Sequence, residues 1–494
     1  AARCVRSKIK LIGGFLKKNK KLFLATATTI AAATALAGCV ETKSDVEGNE
    51  SVEAGTIEIL GTATNEADMN ILRDQLVKNG FDVKLNIQPD FGSFSTQRDA
   101  GNYDIAVSSW TTVTGNPDYA VRGLFKSGGD YSNTEDETID KLIDEASTLT
   151  GKDAEEKYAE LEQVLVFDNA YIAPLYTSKK FQGIHNATVD PNTVRLPKSR
   201  AQAWESISFV EKAQNASDTL VLHQGISSLT SLDPVKGNDG SINTLNTNMY
   251  VRLVNLTDSD GVVSDGSLSL DHTYSKDNKA YYFVLRDDIN FSKIQNGAAV
   301  DTGDLVSAED VIFSLERAKD KNAVPDHRTY SIHENIETVS IVTDITELQN
   351  IESAEGGSIL DALSDDLPAS IAQVVADETS VDNTSGNYQV VKITTAKPFP
   401  QVLNYLAHQS GGIVSKEQVS AINTFTVDNY DPNKHIAYGD QSVVTEGSTY
   451  NNHLWTSGPY ILSVKNDYEA KFLKNPAYAP GTDIAPIINR SEER

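Results

Sequence analysis

Ala35-Leu36-Ala37-Gly38-Cys39 sets a thiol directly behind small and apolar residues, the pattern of a lipobox, where a bacterial secretion signal is cut and Cys39 receives lipid. Lys17, Lys18, Lys20 and Lys21 precede it as a basic n-region, and Leu22 to Leu36 form an apolar h-region too short for a comfortable membrane span. An ordinary helix or a retained anchor is the alternative. Cys4 is the only other cysteine, so whatever follows Cys39 has neither a disulfide framework nor a thiolate metal site. Other reactive constellations are poor. His333-Glu334-Asn335-Ile336-Glu337 carries Glu where a zincin helix needs its second His. No Gly-x-Ser-x-Gly elbow and no Gly-Lys-Ser phosphate loop occurs. Asp428, Asp431, His435 and Asp440 could supply oxygen-rich metal ligands, but their irregular spacing among Asn, Tyr and Pro suits a solvated loop better. The residues therefore offer an enzyme little, and no metal and no cofactor are expected.

Charge divides the chain in the same way. Of 43 Lys and Arg against 69 Asp and Glu, eight basic residues and no acidic one lie in the first 38 positions. The remainder thus sets 35 cations against 69 anions. Such a surface repels nucleic acid and anionic headgroups, which excludes both as expected partners. Residues 1–15 extend the basic region without a Met, and translation is expected to begin at Leu16.

The elements that follow must position any site. Residues 39–54, rich in Glu, Ser, Asp and Gly, read as a tether. Thr56 to Leu60 and Phe81 to Ile87 alternate as strands, and Tyr103 to Val107 is a short apolar strand leading to Trp110. Met69, Leu72, Leu76 and Val77 recur at helical spacing before an Asn79-Gly80 stop. Helices are predicted over Asp136–Thr148 and Ala154–Val166, the second capped by Asp153, then an apolar strand over Asn169–Tyr176. Glu211 to Asp218 is a polar linker. Beyond it strands are predicted at Thr219–His223, Ala280–Arg286, Gln389–Thr395 and Gly458–Lys465, with a Ser307-capped helix to Lys319. Asp344 to Ser385, acidic and weakly periodic, reads as a solvated insertion with some helix. The fold class is α/β.

Several blocks resemble the extracytoplasmic solute-binding proteins of peptide-type ABC importers (family 5). They are Ser228-Leu229-Thr230-Ser231-Leu232-Asp233-Pro234, Tyr281 to Phe291 followed by Ser307 to Arg317, Pro398 to Leu403 with Ile413 to Lys416, and Ser457-Gly458-Pro459-Tyr460 with Asn475-Pro476-Ala477-Tyr478. Residues 55–210 resemble what is normally the C-terminal portion and residues 218–480 the N-terminal portion, so the chain looks circularly permuted, which nearby surface termini permit. The block that normally lies between them has no counterpart before Arg494, and a truncated second lobe is expected; a complete but reduced protein is the alternative.

The resemblance implies a periplasmic-binding-protein-like solute-binding fold of the two-lobed, class II, three-domain kind. Its expected organisation is a signal at 1–38, a tether at 39–54, part of the second lobe at 55–180, the first lobe at 181–252 and 421–480, an accessory β-rich domain at 253–420, and the start of a second-lobe segment at 481–494. It implies capture of oligopeptides between lobes through main-chain bonds and delivery to transmembrane permease subunits, by a monomer anchored by lipid on the extracytoplasmic face of a cell membrane, of Gram-positive type. A receptor for signalling peptides, or a binder of a sugar or metal chelate, is the alternative. By position it implies that Trp110, Thr111, Thr112 and Val113 face the ligand from one lobe, and Gly237, Asn238 and Asp239 from the other. Trp110 is alternatively a core residue, and Lys236 to Gly240 an ordinary turn. Family members commonly hold a peptide's amino group with an Asp where this chain has Val113, and Asp118 is expected to cap the next helix instead. Either a longer peptide is held by its middle, or the ligand is not a peptide.

Overall fold

Ile57 and Ile59 alternate with Glu58 and, with Leu60, seed the first strand, β1 (Ile57–Thr62), in the computed structural model. The structure describes residues 55–179, 181–199, 201–224, 231–238, 240–363, 367–440, 454–465, 469–478 and 487–491. The lipobox with Cys39, the tether and Asp239 lie outside them.

β1 leads through α1 (Glu66–Lys78), β2 (Val83–Gln88) and α2 (Phe91–Asp99) to β3 (Ile105–Ala106), giving a parallel sheet in the order β2-β1-β3. α1 stops where expected: Asn79 closes it and Gly80 takes φ +91°, open to glycine at little cost. Ile59, Met69 and Val107 are the buried centre of this layer. Three helices follow: α3 (Pro117–Phe125), α4 (Glu137–Ala146) and α5 (Gly151–Glu162). Asp136 Oδ1 accepts the amides of Thr138 and Ile139 and so caps α4. The cap position of α5 is Thr150 rather than Asp153, because the helix starts three residues early, at Gly151 (φ +57°).

The strand expected at Asn169–Tyr176 does not form. A π-helical turn, Gln163–Asp168, ends α5, and Tyr171 and Ile172 donate back to the Leu165 carbonyl instead of to a neighbouring strand. Apolar alternation without a partner strand leaves Tyr171, Leu175 and Tyr176 exposed.

From residue 220 strands dominate, as expected: β4 (Leu220–Gln224), then α6 (Gly240–Met249), β5 (Ser269–Tyr274), β6 (Ala280–Leu285), β7 (Asn290–Gln295), β8 (Ala298–Leu305), α7 (Ala308–Lys319), β9 (Ile336–Ile341), β10 (Val390–Thr395), α8 (Val402–Leu406), β11 (Tyr460–Lys465), β12 (Glu469–Lys474) and β13 (Ile487–Ser491). An antiparallel sheet runs β9-β10-β6-β5, and a mixed sheet β11-β12-β13-β4 closes with β13 parallel to β4. β6 is buried on both faces. Tyr281, Phe283 and Leu285 join Val311 and Leu315 of α7 in the main core, whereas Tyr282 and Val284 pack on Leu348, Ile359 and Leu363. The acidic 344–385 segment is therefore a cover as well as a solvated insertion: short helices Ile345–Asn350 and Ile359–Ala362 bury those three residues against the sheet.

The motif blocks prove to be fasteners of this frame. Buried Asp233 pairs with Arg317 at 2.7 Å, joining the first block to α7. Ser307 donates its amide and hydroxyl to Asp310, both at 3.1 Å. A Cβ on Gly458 would stand 2.5 Å from the Met249 carbonyl carbon, so only glycine lets the strand leading into β11 lie against the end of α6.

Candidate functional site

Past β3 the chain runs without regular structure through Trp110 to Asn116, whose Oδ1 accepts the Asp118 amide at 2.8 Å and caps α3. Asn116, not Asp118, is thus the cap: Pro117 at the first helical position sets the turn, and Asp118 points inward. The partly buried Trp110 ring sits 5.2 Å from Tyr119 and 5.4 Å from Tyr131. Asn238 Nδ2 donates to the hydroxyls of the same two tyrosines at 3.0 and 3.1 Å. Trp110 and Asn238, expected on opposite sides of a ligand, thus meet around one tyrosine pair. Thr111 is exposed and Thr112 half-buried. Gly237 is buried; a Cβ there would collide with Ile242 at 2.6 Å, and its carbonyl accepts Gln409 Nε2 at 2.8 Å, so this glycine serves close packing. Neither Tyr119 nor Tyr131 was singled out by the sequence, and no local signal marks Tyr131.

Burial is the main force on the ionisation of this cluster. It raises the Tyr119 phenol and pushes Tyr131 up to about 12, with the neighbouring Asp130 charge adding to the rise and the Asn238 amide opposing it. Both phenols therefore stay protonated while they accept from Asn238. The Trp110 Nε1–H is buried and has no acceptor among the described residues. Asp130 is itself held up to about 6, first by burial and then by the Glu334 charge, against the Ser331 hydroxyl that donates to it at 2.6 Å.

An ion cluster fastens α3 to the rest. Buried Arg122 forks onto both oxygens of buried Asp118 at 3.0 and 3.1 Å, and reaches Asp144 at 3.1 Å and Glu334 at 3.4 Å. Tyr405 of α8 donates to Asp118, and Asn404 Nδ2 donates to the Thr114 carbonyl at 2.9 Å. The segment bearing Trp110 is thus pinned to α8 and to residues 331–334. A groove of about 570 Å³ lies elsewhere, at one side of the antiparallel sheet beside Lys276, Lys279 and Lys392. Two of these lysines are paired with Glu352 and Glu347, and no expected site residue lines it. His435 accepts the Asp431 amide at 3.0 Å and stacks near Phe425 and Tyr430, the geometry of a local turn.

Residues 266–488 match the family of bacterial extracellular solute-binding proteins, family 5 Middle. Similar solved structures include NikZ from Campylobacter jejuni with Ni(L-His), at 17% identity, covering 56% of this chain and 39% of that one, with a TM-score of 0.34. DppA from Helicobacter pylori with peptide STSA is 18% identical, covering 56% and 43%, TM-score 0.36. The substrate-binding domain of an oligopeptide ABC transporter from Bacillus anthracis is 17% identical, covering 56% and 42%, TM-score 0.33. The chain spans about two-fifths of the length of the solved structures it matches. No curated protein matches it.

Proposed function

Residues 266–488 belong to the family 5 extracellular solute-binding proteins, and from that premise we propose that the chain captures oligopeptides outside the cytoplasm and hands them to the permease subunits of an ABC importer. The family match carries the reading. The meeting of Trp110 and Asn238 on one tyrosine pair supports it, since two segments remote in sequence offer aromatic faces and polar donors side by side. In this reading residues 55–180 contribute to one lobe, and residues 181–252 with 421–480 to the other, the β-rich 253–420 segment bracing it. Lipid on Cys39 holds the monomer at the outer face of the membrane, and Trp110 to Val113 with Gly237, Asn238 and Asp239 contact the ligand. Chemistry on the ligand forms no part of the role.

Thermal melting against peptide pools of defined length tests the proposal. Saturating peptide at about a hundred times its Kd is expected to stabilise the fold by about 2.7 kcal/mol. Stabilisation by oligosaccharides or metal chelates with no response to any peptide overturns it. A non-peptide solute is the second reading. The observation favouring it is Val113, which supplies no carboxylate for a peptide's amino group.

A further inference from the structure

Among the polar contacts that tie residues 110–144 to the rest of the chain, one brings two acids to the same joint. Gly128 (φ +73°) and Gly129, whose Cβ would stand 2.4 Å from the Arg122 carbonyl oxygen, turn the chain tightly behind α3. Tyr131 donates its amide back to the Gly123 carbonyl at 3.0 Å, so the partly buried Asp130 is carried on the end of that helix. Opposite stands the short helix Tyr330–His333. Its buried Ser331 donates to Asp130 Oδ2 at 2.6 Å, and Glu334 follows at its end.

The neighbouring ties are of another kind. Arg122 reaches Glu334, Asn404 reaches the Thr114 carbonyl, and Asn238 reaches the Tyr119 and Tyr131 hydroxyls, each a cation or amide on an acceptor. Asp130 instead meets the Glu334 charge across the joint. The other groups that act on it weaken this opposition without cancelling it. Lys321, its Nζ 5.8 Å over the Tyr330 ring, attracts the carboxylate, and the Ser331 hydroxyl and amide favour its charged form. Tyr119, Tyr131 and Tyr330 face it as phenols, with Arg98 and Arg328 acting on Tyr131. Burial outweighs these, and with Glu334 it holds Asp130 up to about 6 while the joint is closed.

We propose that the Asp130–Ser331 contact is a latch set by protonation: residues 110–144 stay closed on residues 331–334 while Asp130 carries a proton, and open locally once it is ionised. The inference rests on the reading that residues 55–180 form one side of the ligand cleft. Opening returns Asp130 to water, near the ordinary 3.8. Closure is then fully favoured below about pH 4 and loses ground as pH rises to about 6, being level above. A ligand enters and leaves more readily at neutral pH than in acid.

Hydrogen–deuterium exchange of the full chain, read by mass spectrometry and corrected for the intrinsic rate at each pH, tests this. Amides of residues 117–131 and 330–334 are expected to exchange at least about a hundredfold faster than those of β6, because they open without global unfolding. Their protection is expected to fall about tenfold between about pH 5 and pH 7.5, the linkage of one proton released on opening. D130N, confirmed as folded by melting, is expected to hold that protection within about twofold over the same range. Equal protection of these segments and β6 at both pH values means that the joint opens only with the whole chain, and overturns the proposal. A wild-type fall below about twofold, or a rise, overturns it too, and so does a fall of about fivefold or more retained in D130N. The wild-type series decides by itself should D130N not fold. No ligand enters this experiment, so its failure leaves the peptide reading to the melting assay, and failure there leaves the latch standing.

Discussion

The segment from Trp110 to Tyr131 and the segments on either side of it come from one stretch of α/β chain, yet they are treated in opposite ways. The first, with Thr114, Asp118, Tyr119 and Arg122 buried, is ion-paired and hydrogen-bonded to residues two to three hundred positions away, through Arg122–Glu334, Tyr405–Asp118 and Asn404–Thr114. The β1–β3 layer and the 167–181 segment are left bare: Ile71, Val77, Phe81, Phe91, Phe167, Leu175, Tyr176 and Phe181 are exposed. Parallel sheets are ordinarily covered on both faces, and this one has a small core around Ile59, Leu60, Met69, Phe94 and Val107. The contrast teaches that cohesion here is concentrated at the proposed ligand face. The fasteners are polar and directional, which fixes Trp110 in register with Asn238.

Breaking the fastener is expected to give the largest effect. Arg122→Ala strands Asp118, a fully buried carboxylate, and is expected to cost about 3–5 kcal/mol in urea unfolding. Replacing Arg122 and Asp118 together with apolar residues is expected to cost less than the single change, because no buried charge is then orphaned. Losses that merely add would mean the pair is not coupled.

Next comes Leu348, fully buried in the acidic cover over β6. Leu348→Ala is expected to cost about 2–5 kcal/mol by the same assay, as for other fully buried leucines. A change below about 0.5 kcal/mol would return the 344–385 segment to the solvated insertion that its composition suggests.

Asp130 sharpens the comparison through pH. Its folded-state value of about 6 lies above the ordinary 3.8, so the folded chain keeps a proton that the unfolded chain loses between about pH 4 and 6. Stability from this group therefore falls as pH rises through that window and is level above it. About two pH units amount to at most about 3 kcal/mol. Asp130→Asn is expected to flatten the fall of the urea midpoint between pH 4 and pH 7. It will not abolish it, since burial also raises Asp310 to about 6. An unchanged slope in Asp130→Asn would remove Asp130 from the cluster.

Much of this frame was legible in the residues, for a local reason. β1, β2, α1 and α7 carry their periodicity within themselves, and Asn79-Gly80 and Ser307 mark boundaries by backbone chemistry. Asn169–Tyr176 misled because alternation states only that two faces differ; a strand also needs a ladder, which no local pattern guarantees. Asp118 misled because an acid in a first turn fits both a cap and a buried partner, and Tyr405 and Arg122 decide between them. At the site, Trp110 and Asn238 were reachable through the family resemblance alone. The tyrosines between them, and the Asp130–Ser331 contact, arise from contacts spanning about a hundred residues or more, which spacing along the chain does not encode.

The smallest effect is expected on the bare side. Phe181 is 90% exposed and Tyr176 70%, so their rings gain little from folding in this chain. Phe181→Ser and Tyr176→Ser are each expected to move the unfolding free energy by no more than about 0.5 kcal/mol, as surface changes away from packed features do. Tyr176 keeps one tie, its hydroxyl donating to Asp68 at 2.7 Å, but an exposed bond of this kind competes with water and adds little. A loss above about 1 kcal/mol in either variant would mean that these rings are packed in solution. The division between a fastened face and a bare one would then fail at its weaker end, even if Arg122→Ala behaved as expected.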